Sequence, residues 1–175
     1  MTETISYMLK ASSGQILGSM SIWLTKASEH AKAHDIADEA FMSARLYPDM
    51  FPMDRQVQTA CDMAARGGAR LAGEALPVSP DDEKSFRDLA ERAAKAVGFI
   101  NTLDDDALNA DPDSTIIMQT PFGDRPFQKM QYMANFVLPN LTFHASMAYA
   151  LLRTQGVPLG KLDFLAGGQT TTEAP

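Results

Sequence analysis

Residues 79–103 read SPDDEKSFRDLAERAAKAVGFINTL, and the fold follows from how this stretch is interpreted. Phe86, Leu89, Ala93, Ala96, Ile100 and Leu103 recur at alternating spacings of three and four, which puts them on one stripe of an α-helix and leaves the charges outside. Ser79-Pro80-Asp81-Asp82 supplies an N-cap residue, a first-turn proline and two carboxylates for the positive end of the helix dipole, so the helix is expected to begin there. A stripe this narrow needs partner helices, and the same period appears on both sides of it.

Upstream, Met53, Val57, Ala60, Cys61, Ala64, Gly68 and Leu71 trace a second stripe of small residues, entered at Pro52 and stopped at Gly73. Further upstream, Ile5, Met8, Leu9, Ile16, Met20, Trp23 and Ala27 predict a helix from about Thr4 to His34. Gly14 and Gly18 weaken its intrinsic propensity, so close packing on a neighbour is expected there. Downstream, Met130, Met133, Val137, Leu141, His144, Ala148 and Leu151 predict a last helix from about Pro126 to Gln155, kinked at Pro139. A short helix is expected within 38–46, and a short hairpin around 115–120. Four long amphipathic segments without a sustained strand pattern give an all-α four-helix bundle with short accessory elements in the two longer loops. Residues 1–166 read as one domain and residues 167–175 as a flexible tail.

Composition narrows the function. The chain has 175 residues, 15 Lys and Arg against 22 Asp and Glu, and a net charge of −7, which repels a phosphate backbone; nucleic acid is not an expected partner. A single cysteine, Cys61, can form neither an internal disulfide nor a thiolate zinc site, and points to a reducing compartment, the cytoplasm. No apolar run approaches a membrane span, and Met1 to Thr4 lacks the positive region of a secretory signal. Phosphate-binding glycine loops, the H-E-x-x-H zinc motif and the Glu-x-x-His pairs of di-iron bundles are absent.

Polar residues at apolar positions mark the candidate site. His144 lies on the inner stripe with Asn140 one turn before it, so its ring nitrogens need partners. Imidazole titrates near neutrality, which makes His144 the best candidate for proton transfer, with Asn140 orienting it or a ligand. Arg45, Asp49, Phe51 and Gln56 surround the two prolines Pro48 and Pro52, with an Arg45–Asp49 pair expected to fasten that loop. His30 and His34, one turn apart near a helix end, favour a solvated reading over metal ligation, although with His144 they would make up a ligand set. Tyr149 and Arg153, opposite His144 in phase, suit a helix contact or subunit surface.

Two blocks carry a family resemblance: Arg45-Leu46-Tyr47-Pro48-Asp49-Met50-Phe51-Pro52, continued by Arg55-Gln56-Val57 and 69–73, and Leu138-Pro139-Asn140-Leu141-Thr142-Phe143-His144, continued through Leu165. They resemble the DUF1993 family of uncharacterised bacterial proteins, which is similar to the DinB and YfiT-like four-helix bundles. That resemblance implies a homodimer and, from the wider group, a divalent metal such as zinc or nickel on three histidines and thiol-dependent transferase chemistry. Here the matching stretch has Asn140-x-x-x-His144, and Gln56 stands where a further histidine is sought, so amides replace imidazoles. Three readings follow: a small-molecule pocket around His144, a non-catalytic dimeric module, and a divalent-metal enzyme.

Overall fold

The computed structural model describes residues 4–166; the expected tail at 167–175 lies outside the described residues. Helix α1 (Thr4–Ala33) buries Ile5, Leu9, Ile16, Leu17, Met20, Trp23 and Leu24, as its period requires. It ends at Asp35, whose φ of 55° turns the chain into the short α2 (Asp38–Met42). Helix α3 (Met53–Ala72) follows Pro52 and stops at Gly73, which adopts a φ of 74°, a left-handed conformation available to glycine without a Cβ clash.

Helix α4 (Phe86–Thr102) buries the stripe from Phe86 to Ile100, but it does not start at Ser79. Ser85 is the N-cap and its hydroxyl accepts from the Asp88 N–H, while Asp88 accepts from the Lys84 N–H. Ser79 to Lys84 instead form an extended strap, because Asp81 and Glu83 are drawn sideways onto Arg92 and Arg55 rather than forward onto a first turn. After it come α5 (Asp105–Asn109) and an antiparallel hairpin of β1 (Thr115–Met118) and β2 (Arg125–Gln128), with Thr115 opposite Gln128.

The last helical stretch also departs from expectation. Pro126 lies in β2, and the helix begins as α6 (Lys129–Tyr132), passes through a π-helical turn at Met133–Val137, and continues as α7 (Leu138–Thr154). Pro139 has no N–H to give to the carbonyl four residues back, and the wider π turn just before it absorbs that loss in place of a sharp kink. A short α8 (Lys161–Leu165) closes against α1 through a Lys26–Asp163 pair of 2.5 Å and a bond from Gln15 to the Phe164 carbonyl of 2.9 Å.

Helices α1, α3, α4 and α7 form a four-helix bundle in which α1 and α3 are each flanked by α4 and α7. The small-residue seam of α3 permits close approach: a Cβ on Gly67 would fall 2.8 Å from a Val137 methyl, and one on Gly68 2.8 Å from a Leu103 methyl. Gly14 is different from what its propensity suggests, since nothing lies within 4 Å of a Cβ placed there. Gly14→Ala is therefore expected to stabilise the protein by about 0.5–1 kcal/mol through helix propensity alone. Gly67→Ala, pressed against a stiff β-branched side chain, should destabilise it by about 1 kcal/mol. Urea denaturation of the pair checks this; two shifts of the same sign would contradict it.

Candidate functional site

Helix α3 and helix α7 face one another where Gln56 and His144 meet. Gln56 is buried, at 2 % exposure, and its Nε2 donates to the Phe51 carbonyl at 3.2 Å. A carbonyl can only accept, so the amide nitrogen must face Phe51 and Oε1 must face His144, whose Nδ1 stands 2.7 Å away. Nδ1 therefore carries the hydrogen, and the lone pair of the neutral ring is on Nε2. Among the described residues no protein group bonds that Nε2. The ring itself is half-buried, with Phe51 near-parallel (21°, centroids 6.2 Å apart) and Phe143 edge-on at 5.2 Å. Burial holds the His144 pKa below the ordinary histidine value, so the ring is neutral at pH 7.

The loop beneath is fixed from several directions. Arg45 Nη1 donates to the Met50 carbonyl at 2.5 Å, Met53 N–H to the Ala44 carbonyl, and the Arg55 guanidinium lies 5.8 Å from the Phe51 ring centre. The expected Arg45–Asp49 ion pair does not form among the described residues: both side chains are exposed, and Arg45 closes the turn through a backbone carbonyl instead. Asn140 is not the partner of His144 either. It follows Pro139, and its Nδ2 turns back onto the Phe136 carbonyl at 2.7 Å, satisfying an acceptor in the π turn. The orienting amide is Gln56, 88 positions away in the chain.

His30 and His34 form a separate group at the end of α1, their rings 4.2 Å apart, with His34 Nδ1 on the His30 carbonyl and His30 edge-on to Phe41. Tyr149 sits between Trp23 and Phe164 as a helix contact, and Arg153 donates to the Val157 carbonyl. A divalent ion would find a poor donor set beside His144: the Gln56 oxygen is occupied by Nδ1–H, the Asn140 amide is turned away, and no second imidazole is present. No group of three or more His, Cys, Asp or Glu suited to a metal ion occurs among the described residues. The residues do not fit the metal centre that the resemblance implies.

A second polar cluster escaped the sequence reading. Arg92, 5 % exposed, pairs with Asp62 at 2.7 Å, Glu83 at 2.9 Å and Asp81 at 3.1 Å, and donates to the Pro80 carbonyl. Gln58 bonds the other Glu83 oxygen, and Arg55 pairs with Asp81. Burial opposes the Arg92 charge, but the bonds and charges of Glu83 and Asp62 outweigh it and hold the guanidinium ionised. The signal was present: Arg92 falls in helical phase between Leu89 and Ala96.

Four helices in this arrangement, with the imidazole of one long helix held by a side chain of the facing one, define a DinB-like bundle protein. The crystal structure of a DinB family member protein from Shewanella denitrificans superposes with a TM-score of 0.86 and 28% identity, over 97% of this chain and 95% of that one. Residues 9–165 match the domain of unknown function DUF1993, and the chain belongs to that family. No curated protein matches it.

The state of His144 is testable directly. Its folded pKa lies below its unfolded one, so the unfolded chain binds the extra proton first and the stability contributed by the neutral ring is present above the ordinary histidine value and lost as pH falls through the folded one. An NMR titration should place the His144 midpoint below about 6.5, and urea midpoints should fall more for the native chain than for His144→Gln between about pH 7 and pH 5. A midpoint at or above the ordinary value would refute the assignment.

Proposed function

We propose that the Gln56–His144 pair and the rings of Phe51 and Phe143 form a recognition site for a small molecule bearing a hydrogen-bond donor. One observation carries this reading: the Phe51 carbonyl orients Gln56, Gln56 orients His144, and the chain of bonds ends on an unpaired, half-exposed Nε2 lone pair. A neutral imidazole held in one tautomer is a hydrogen-bond acceptor and, toward an acidic proton, a general base. The ligand would lie on the surface between the two phenylalanines, Phe51 and Phe143 being 46% and 51% exposed, rather than deep in the bundle. Arg45 and Asp49 are placed at the margin, where their contribution is to loop shape. Asn140 acts on the site only through the π turn.

A thermal-shift screen of donor-bearing fragments tests this. Hits should lose their shift in His144→Ala and in Gln56→Leu while retaining it in Asn140→Ala. Shifts that survive both of the first two variants would dismiss the site.

A dimeric module is the second reading, favoured by one observation: Leu46, Tyr47, Phe51 and Phe143 are exposed apolar side chains around the same ring. A homodimer covering this face would bury Nε2, and light scattering of the native chain and of Phe143→Glu separates the two readings. The residues 1–166 act as one domain in either case, and the cytoplasm is the compartment we assign; no helix among the described residues is long and apolar enough to cross a membrane.

A further inference from the structure

The largest hollow on the molecule is remote from His144. It is a cleft of about 630 Å³ between α3 and α4, roofed by the strap at 77–83 that the misplaced helix start creates. Its volume lies within the range of small-molecule sites. Ala65, Pro77, Val78, Pro80, Ala96 and Phe99 supply apolar wall, enough to receive a hydrocarbon body.

The charges on the same walls decide what kind of body. Asp62, Asp82, Glu83, Asp88 and Glu91 face the cleft against Arg92 and Lys95, an excess of three negative charges. The one buried cation is already committed, since Arg92 is shared among Asp62, Asp81 and Glu83. Asp88 is held ionised by the Lys84 N–H and the Ser85 hydroxyl. Glu91 meets only the highly exposed Arg87, a pair of little energetic weight, and Asp82 has no charged partner among the described residues. Partly enclosed carboxylates next to apolar wall repel anions and attract a cation more strongly than the open surface does, because less water screens them.

We propose that this cleft is a binding site for a small organic cation, an amine or guanidine carried on an apolar body. The ammonium or guanidinium lies between Asp82 and Glu91 at the mouth, and the hydrocarbon part rests on Phe99 and the strap prolines. The site is independent of the His144 reading, because its walls share no residue with it.

Hexamethylenediamine and its dicarboxylate counterpart adipate, titrated calorimetrically into the full chain at low and at physiological ionic strength, test the proposal. The diamine should give saturable one-site binding that weakens with salt, and adipate should give none. The double variant Asp82→Asn/Glu91→Gln leaves the Arg92 cluster intact and should weaken the diamine by about tenfold. The chain is acidic overall, so Asp113→Asn/Asp124→Asn, which removes the same charge from an exposed loop, serves as control and should leave the affinity unchanged. Equal binding of adipate, failure to saturate, or equal weakening in both double variants would overturn the proposal.

Discussion

Arg92→Met should cost the protein about 3 kcal/mol, a fall in melting temperature of roughly 6–12 °C for a chain of this size. The side chain removed is nearly isosteric in its aliphatic part, so little packing is lost; what remains is a set of carboxylates gathered around a missing charge. The side chain of Glu83 is only 9% exposed and cannot reach water without moving the strap, whereas Asp81 and Asp62, at 40% and 27%, can turn outward. That relief keeps the expected loss at the lower end of what breaking a buried ion pair costs. Adding Glu83→Gln to Arg92→Met should recover about 1 kcal/mol, and amide exchange should show the 77–85 backbone opening in the single variant before the helices do. An Arg92→Met protein as stable as the native one would mean that the strap is held by its prolines and backbone alone.

Trp23→Ala should be the more damaging change, at about 3–5 kcal/mol, because the indole is fully buried in the centre of α1, edge-on to Tyr149 at 6.3 Å, and helices on two sides cannot collapse into the space. Trp23→Phe separates packing from polarity. The Trp23 Nε1 has no hydrogen-bond partner, and a buried orphan donor carries a desolvation cost of about 1–3 kcal/mol. Removing that donor offsets part of the lost volume, so Trp23→Phe should fall within about 1.5 kcal/mol of the native protein. Urea denaturation of both variants reads the difference; a phenylalanine variant as damaged as the alanine one would show that the N–H is satisfied in solution, by a buried water or by a shift of the ring.

The four bundle helices were legible because their information is local. A stripe such as Met53 to Leu71 or Phe86 to Ile100 is written within one segment, and any bundle satisfies it. The misread start of α4 shows where local reading stops. Ser79-Pro80-Asp81-Asp82 has every terminal signal, yet Asp81 is worth more to two arginines on other turns, and the quieter Ser85-x-x-Asp88 takes the cap. The site was half legible for the same reason. His144 on an apolar stripe announces a polar group needing a partner, and the nearest amide in sequence, Asn140, was the natural choice. Its neighbour Pro139 changes the backbone so that Asn140 is used within its own helix, and the partner arrives from α3, which no spacing rule reaches.

The wide turn before Pro139 has a consequence for how this chain tolerates change. It holds one more residue than an ordinary helical turn, so everything beyond it is rotated by about 100° relative to an uninterrupted helix. Met133, Val137, Leu141 and Ala145, recurring at every fourth position, are the trace of that offset. Losing a single residue such as Ala134 would not merely shorten the segment: it would swing the downstream half about its axis, carry the imidazole out of reach of its glutamine, and bring a different row of side chains against α3.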